Sequence, residues 1–234
     1  MSARERILGK LKKADAYPML EPQTADYYRE MSPVWDSETA RLQHWVRAMR
    51  AVKTEIYWVT RDNWTDALVQ VAREKNLRNI LLPRKTEHGQ AAEKALQNSL
   101  PDITLSGFDR PIEEWKHDFF ADIDAGFTDV RCGIAHTGTL VLWPTPEQPR
   151  SQSLVPPVHI CLFDTTRMYD DFYSAMQGED MVSDTPTNIV LVSGPSKTAD
   201  IQLTLAYGAH GPRDMVVLAV LPEHLTPADL EETA

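Results

Sequence analysis

Cysteine is scarce. The 234 residues contain two, Cys132 and Cys161, with no C-x-x-C pair and no histidine at zinc-finger spacing. An ordinary iron–sulfur cluster takes four thiolates, so this chain cannot build one alone. A disulfide framework is excluded, although a single bridge is not; reduced thiols in a cytosolic core are the simpler reading. Basic charge is also short, with 24 Lys and Arg against 34 Asp and Glu and a formal net charge of −10. That balance argues against a nucleic-acid-binding face, because phosphate neutralisation needs clustered cations. No apolar run reaches the about 18 residues of a membrane span. The opening Met1-Ser-Ala-Arg-Glu-Arg lacks the apolar core of a secretion signal, so a cytoplasmic protein is expected. What is present is ordinary: 42% hydrophobic and 25% charged residues. A domain of this size buries roughly 70% of its unfolded surface and needs no covalent or metal staple.

Punctuation along the chain predicts three regions: an N-terminal helix and arm (1–36), an α/β domain (37–222) and an acidic C-terminal tail (223–234). Ile7, Leu8 and Leu11 form one stripe of a helix over Ser2–Ala14, and Tyr17–Trp35, with Pro18, Pro22 and Pro33, reads as an arm. Ser37 caps a helix bearing Leu42, Trp45, Val46, Met49 and Val52 at helical spacing. Glu55–Thr60 reads as a strand, and Asn63 or Asp62 caps the helix carrying Trp64, Leu68, Val71 and Ala72. A strand at Asn79–Leu82, a helix at Gln90–Ser99 and a strand at Ile103–Leu105 continue the alternation, which predicts a mostly parallel sheet with helices on both faces. Further on, strands are expected at Val130–Ile134, Thr139–Trp143, Val158–Phe163, Asn188–Val192 and Met215–Leu221. Helices are expected at Arg167–Met176 and Thr198–Tyr207, and the proline-rich Pro144–Pro157 as irregular loop.

Two loops are candidates for chemistry. Ser193-Gly194-Pro195-Ser196-Lys197-Thr198-Ala199-Asp200 lies between an expected strand and helix, where free N–H groups and the helix dipole favour an anion. It lacks the earlier glycine of a Walker A loop, and a plain turn with Ser196 as N-cap fits it as well. His136-Thr137-Gly138-Thr139 joins two apolar strands; a histidine there can act as base, acid or ligand, or simply bond within its turn. His159 and Cys161 alternate on one strand and share a face without a third partner for a metal, and His210 shapes a turn.

Three segments resemble the lactate-utilisation protein C family, also called the LUD domain: Asp129–Leu140 (DVRCGIAHTGTL), Ser153–Ile160 (SLVPPVHI) and Ser193–Pro212 (SGPSKTADIQLTLAYGAHGP). The N-terminal ILGKL is similar to the family's start. The resemblance implies a fold like that of the NagB/RpiA/CoA-transferase group and a role in bacterial L-lactate oxidation to pyruvate. It implies partners too, a cysteine-rich redox subunit and an iron–sulfur subunit, with the clusters in those chains and no cofactor or metal in this one. The family's usual acid is replaced by His136, and another by Gln202. CoA transferases of similar fold use a glutamate to form an acyl anhydride, which His136 cannot do. Arg150 matches a family arginine and suits bidentate grip on a carboxylate. The resulting expectation is an accessory or regulatory subunit with an anion pocket built from Thr137, Gly138, Thr139, Arg150, Gly194, Ser196, Lys197, Thr198 and Asp200, His136 being the one catalytic candidate. The alternative is a stand-alone enzyme that takes a phosphorylated or CoA-linked small molecule. Assembly with further copies of the chain is left open.

Overall fold

A computed structural model describes residues 2–14, 24–183, 185–199, 205–208 and 210–230. The chain divides into two units, Met1–Ser32 and Pro33–Ala234. In the first, α1 (Ala3–Lys13) opens with a reciprocal capping box: the Ser2 hydroxyl accepts the Glu5 N–H, and the Glu5 carboxylate accepts the Ser2 N–H. The expected arm contains a second helix, α2 (Thr24–Met31), because its prolines fall on either side of an uninterrupted Thr24–Met31 run.

The second unit begins with α3 (Glu38–Ala51), where the Ser37 hydroxyl accepts the Ala40 N–H as the cap. β1 (Glu55–Val59), α4 (Trp64–Glu74), β2 (Asn79–Leu81), α5 (Glu87–Ser99), β3 (Thr104–Ser106), α6 (Lys116–Ala121) and β4 (Ala125–Asp129) follow. Next come β5 (Cys132–Ile134), β6 (Thr139–Leu142), α7 (Arg150–Leu154), β7 (Val158–Asp164), β8 (Met168–Tyr169) and α8 (Phe172–Gly178). The chain closes with β9 (Val190–Val192), β10 (Lys197–Ala199), β11 (Leu205–Tyr207), β12 (Asp214–Val220) and α9 (Pro227–Leu230).

Six strands form one sheet in the order β1-β12-β7-β4-β2-β3, and every neighbouring pair is parallel. Both faces are covered, as such a sheet requires. Along β12, Val216, Leu218 and Val220 meet Leu68, Val71, Ala92 and Leu96 of α4 and α5. The alternate residues Met215, Val217 and Ala219 meet Leu42, Trp45 and Met49 of α3, together with Leu140 and Leu142 of β6. His159 and Cys161 share this second face of β7, as their spacing predicts. Leu42, Trp45 and Met49 are wholly buried, each worth about 1.5–3 kcal/mol in transfer energy. β8-β5-β6-β9 makes a second, mixed sheet.

Several expectations are corrected. Both ends of the expected helix Thr198–Tyr207 are strand: β10 and β11 pair antiparallel, with Lys197 opposite Tyr207 and Thr198 opposite Ala206, and residues 200–204 lie outside the described residues. Gly208, at φ +78°, turns the chain after β11 rather than stopping a helix. Arg167–Met176 is divided into a 3-10 turn, β8 and α8, because Asp171 caps α8 and so starts it late. The proline-rich loop contains α7, which starts right after Pro149. β9 belongs to the second sheet and is half-exposed, not a buried strand of the first. After β12 the chain folds back: Leu230 is buried against the α3 cluster, and His224 pairs with Glu38 at 2.8 Å.

All six strands of the main sheet point one way, so their carboxyl ends share an edge. From β2 the chain runs through α5 outward to β3; from β4 it runs the other way, to β7. The boundary between β2 and β4 is therefore a topological switch point, where open α/β sheets hold ligands.

Candidate functional site

Two concavities stand at opposite ends of the main sheet. The smaller, a cavity of about 160 Å³, lies where β7 and β12 begin, beside the paired residues His159 and Met215. Ser153 and Leu154 of α7 line it, as do Gly194 and Ser196 from one loop and His210 and Gly211 from another. The two loops are sewn together: Ser196 N–H donates to Pro212 O at 2.8 Å, and Gly208 N–H to Ser196 O at 2.9 Å. Gly211 permits this approach, since a Cβ there would stand 3.2 Å from Ser196 Cβ. Gly194 has φ +117°, and a Cβ on it would meet Val52 Cγ2 at 2.4 Å.

The β5–β6 turn is tied to the same loop. Thr137 and Thr139 hydroxyls are 2.7 Å apart, and Thr139 Oγ1 is 2.7 Å from Ser193 Oγ. Gly138, at φ +59°, packs against Ala48 of α3. His136 is exposed; its carbonyl is 3.3 Å from His44 Nε2, and its N–H donates to Asp170 O.

His159 is the buried titratable group of this cavity. Its Nε2 lies 2.9 Å from Thr128 Oγ1, and the Cys161 thiol is 3.5 Å away. Burial pushes the imidazole down to about 4, so it is neutral at pH 7. Burial also pushes the Cys161 thiol well up, and the Cys132 thiol up to about 12 with help from the nearby Glu179 charge. Neither cysteine is poised as a nucleophile.

Of the expected pocket residues, Gly194 and Ser196 line the cavity, and Thr139 is joined to it through Ser193. Thr137 and Lys197 are exposed. Arg150 lines a separate recess with Thr128, Asp129 and Trp143, and Ser153 is the residue common to both hollows. Thr198 is described only through its pairing in β10, and Asp200 and Gln202 lie outside the described residues. The helix N-terminus expected after Ser196 is a strand, so the cavity draws no help from a helix dipole there.

The larger concavity, about 480 Å³, opens at the carboxyl edge. Asp129, Asp164 and Val220 are the last residues of β4, β7 and β12; Arg61 comes from the turn after β1, and Trp64 is the first residue of α4. Glu87 and His88 stand in the first turn of α5, so the cleft reaches the switch point. His88 Nε2 is 3.1 Å from Thr86 Oγ1 and 3.9 Å from Asp129 Oδ1. Arg61 pairs with Asp164 at 2.8 Å, and Arg167 with the buried Glu179, which also holds Arg131 at 2.6 Å and accepts from Tyr169 at 3.0 Å. None of these charged residues was singled out by sequence reasoning. The available signal was positional: an aspartate ends each of the apolar strands β4 and β7.

Comparison with known proteins places these features. The sequence model of the LUD domain matches residues 42–220. An uncharacterized protein of Neisseria meningitidis serogroup B is 63% identical over 235 residues, covering 100% of both chains. The lactate utilization protein C of Macrococcus caseolyticus is 36% identical over 96 residues, 39% of this chain and 41% of that protein. Lactate utilization protein C 1 of Bacillus mycoides is 25% identical over 171 residues, 69% of this chain and 70% of its own length. The 1.70 Å crystal structure of a DUF162 family protein from Deinococcus radiodurans superposes with a TM-score of 0.57 at 17% identity, over 81% of this chain and 100% of that one. No helix among the described residues is long and apolar enough to cross a membrane.

Proposed function

The chain belongs to the LUD domain family, and on that premise we propose that it serves bacterial L-lactate utilisation as an accessory or regulatory subunit that holds a small carboxylate. The observation that carries this reading is convergence. Two of the family-like segments, Ser153–Ile160 and Ser193–Pro212, line one 160 Å³ cavity, and the third is bonded to its rim through Thr139. A cavity of that size suits a short hydroxy or oxo acid rather than a nucleotide or coenzyme. Ser196, Ser153 and His210 supply hydroxyl and imidazole groups at its wall, so a carboxylate there is held by hydrogen bonds, the buried His159 being neutral at pH 7 and contributing no cation. With two buried, unreactive cysteines, the chain relies on an iron–sulfur subunit and a cysteine-rich redox subunit to carry lactate's electrons. A titration with L-lactate and pyruvate, followed by amide chemical shifts, is expected to perturb Gly194, Ser196, His210 and Gly211. Silence there for both acids, or normal growth on L-lactate of a deletion strain without a second lactate oxidase, overturns the proposal.

A further inference from the structure

The carboxyl-edge cleft has three times the volume of the motif cavity, about 480 against 160 Å³, and a different chemistry. A three-carbon acid would leave most of it to water, whereas clefts of roughly 300–1,000 Å³ accommodate ligands of cofactor size. One wall is aromatic. The Trp64 indole is backed by Phe127 with ring centroids 5.8 Å apart and planes within 6°, so a lining ring is braced from behind. Beside it stands the Arg61 guanidinium, and Arg167 is anchored from the far side by buried Glu179. The α4 N-terminus faces the same space. Asn63 accepts the Thr60 N–H at 2.7 Å and makes no side-chain bond to the helix; the Asp66 N–H bonds the Asn63 carbonyl, which leaves the Trp64 and Thr65 N–H groups of the first turn for a ligand. Asp129 and Asp164 at strand ends, with Glu87 in the first turn of α5, close the set as carboxylates.

Each feature matches one part of a ribonucleotide, and we propose that this cleft binds one. A base has a planar face for Trp64, and stacking of this kind tolerates any base. A ribose diol can donate two O–H bonds to a strand-end carboxylate, the arrangement that acidic residues serve in dinucleotide folds. The phosphate takes Arg61, Arg167 and the α4 N-terminus. The carboxylates also explain why a bare phosphate is a poor occupant: without the sugar hydroxyls it meets Asp129 and Asp164 as like charges. Placement at the switch point between β2 and β4 supports the same conclusion. The proposal stands independently of lactate, which is assigned to the opposite end of the sheet.

The test is calorimetric titration of the full chain with AMP, ADP, ATP and NAD, with inorganic phosphate and ribose 5-phosphate as comparators. At least one nucleotide is expected to bind with a Kd below about 1 mM, and ribose 5-phosphate about tenfold more weakly or worse. Trp64→Leu is expected to weaken the bound nucleotide about tenfold or more. Arg61→Gln, at a side chain 69% exposed and therefore harmless to folding, is expected to weaken it similarly. Circular dichroism checks that each variant is folded; should Trp64→Leu fail that check, Arg61→Gln decides alone. Absence of binding by all four nucleotides, equal affinity for inorganic phosphate, or unchanged affinity in Arg61→Gln overturns the proposal.

Discussion

The two ends of the main sheet are built on opposite principles. At the amino end the cavity is small and its walls are backbone: glycines admit neighbouring atoms, and N–H to carbonyl bonds hold one loop to the next. At the carboxyl end the cleft is three times larger by volume, about 480 against 160 Å³. There, charged side chains come from strand ends (Asp129, Asp164) and from the turns after β1 and β7 (Arg61, Arg167), and Arg61 pairs with Asp164. A site made of backbone is intolerant of added atoms; a site made of exposed ion pairs tolerates them and depends on its charges. The difference teaches where stability and where recognition reside.

Substitutions sharpen that contrast in order of effect. Gly194→Ala places a Cβ 2.4 Å from Val52 Cγ2 at φ +117°; backbone strain and overpacking together should cost about 2–6 kcal/mol, read by urea unfolding. His159 supplies the next effect. Its folded-state pKa of about 4 is below the unfolded value of 6.5, so the unfolded chain binds the proton first. Stability attributable to it is complete above pH 6.5 and is lost as pH falls toward 4, by about 3 kcal/mol. His159→Gln should flatten that part of the pH–stability curve relative to wild type. Thr139→Val breaks the hydroxyl bond to Ser193 and should cost about 1 kcal/mol, seen as a lowered denaturation midpoint. Smallest of all, Asp164→Asn at the opposite end should change stability by less than about 0.5 kcal/mol, because its Arg61 partner is exposed. A large loss from Asp164→Asn, or none from Gly194→Ala, would break the comparison.

The amino-end site was the more legible one. Glycine and proline clusters mark places where chains must approach, and Gly194, Ser196 and Thr139 were readable as a group for that reason. The parallel sheet was legible too, because buried strands such as VHICLF and NIL contrast with amphipathic helices such as the one carrying Leu68, Val71 and Ala72. What misled was Thr198–Tyr207, where short apolar spacing satisfies helix and strand alike until the bonds of Ser196 to Pro212 and Gly208 select the β10–β11 pairing. The carboxyl-edge cleft had no motif to betray it. Arg61, His88, Asp129 and Asp164 acquire a common purpose only when strand order is known, and β12 inserting between β1 and β7 is not foreseeable from local pattern.

That insertion has a consequence for how the molecule is made. β1 is synthesised early, yet its hydrogen-bonded neighbour in the sheet is β12, close to the C-terminus. A nascent chain must hold β1 without its strand partner until Asp214–Val220 emerges, and closure over so great a contour is slow. The sheet completes from its middle, last of all, and a chain interrupted before Asp214 keeps β4 beside β7 but leaves β1 with no strand to join.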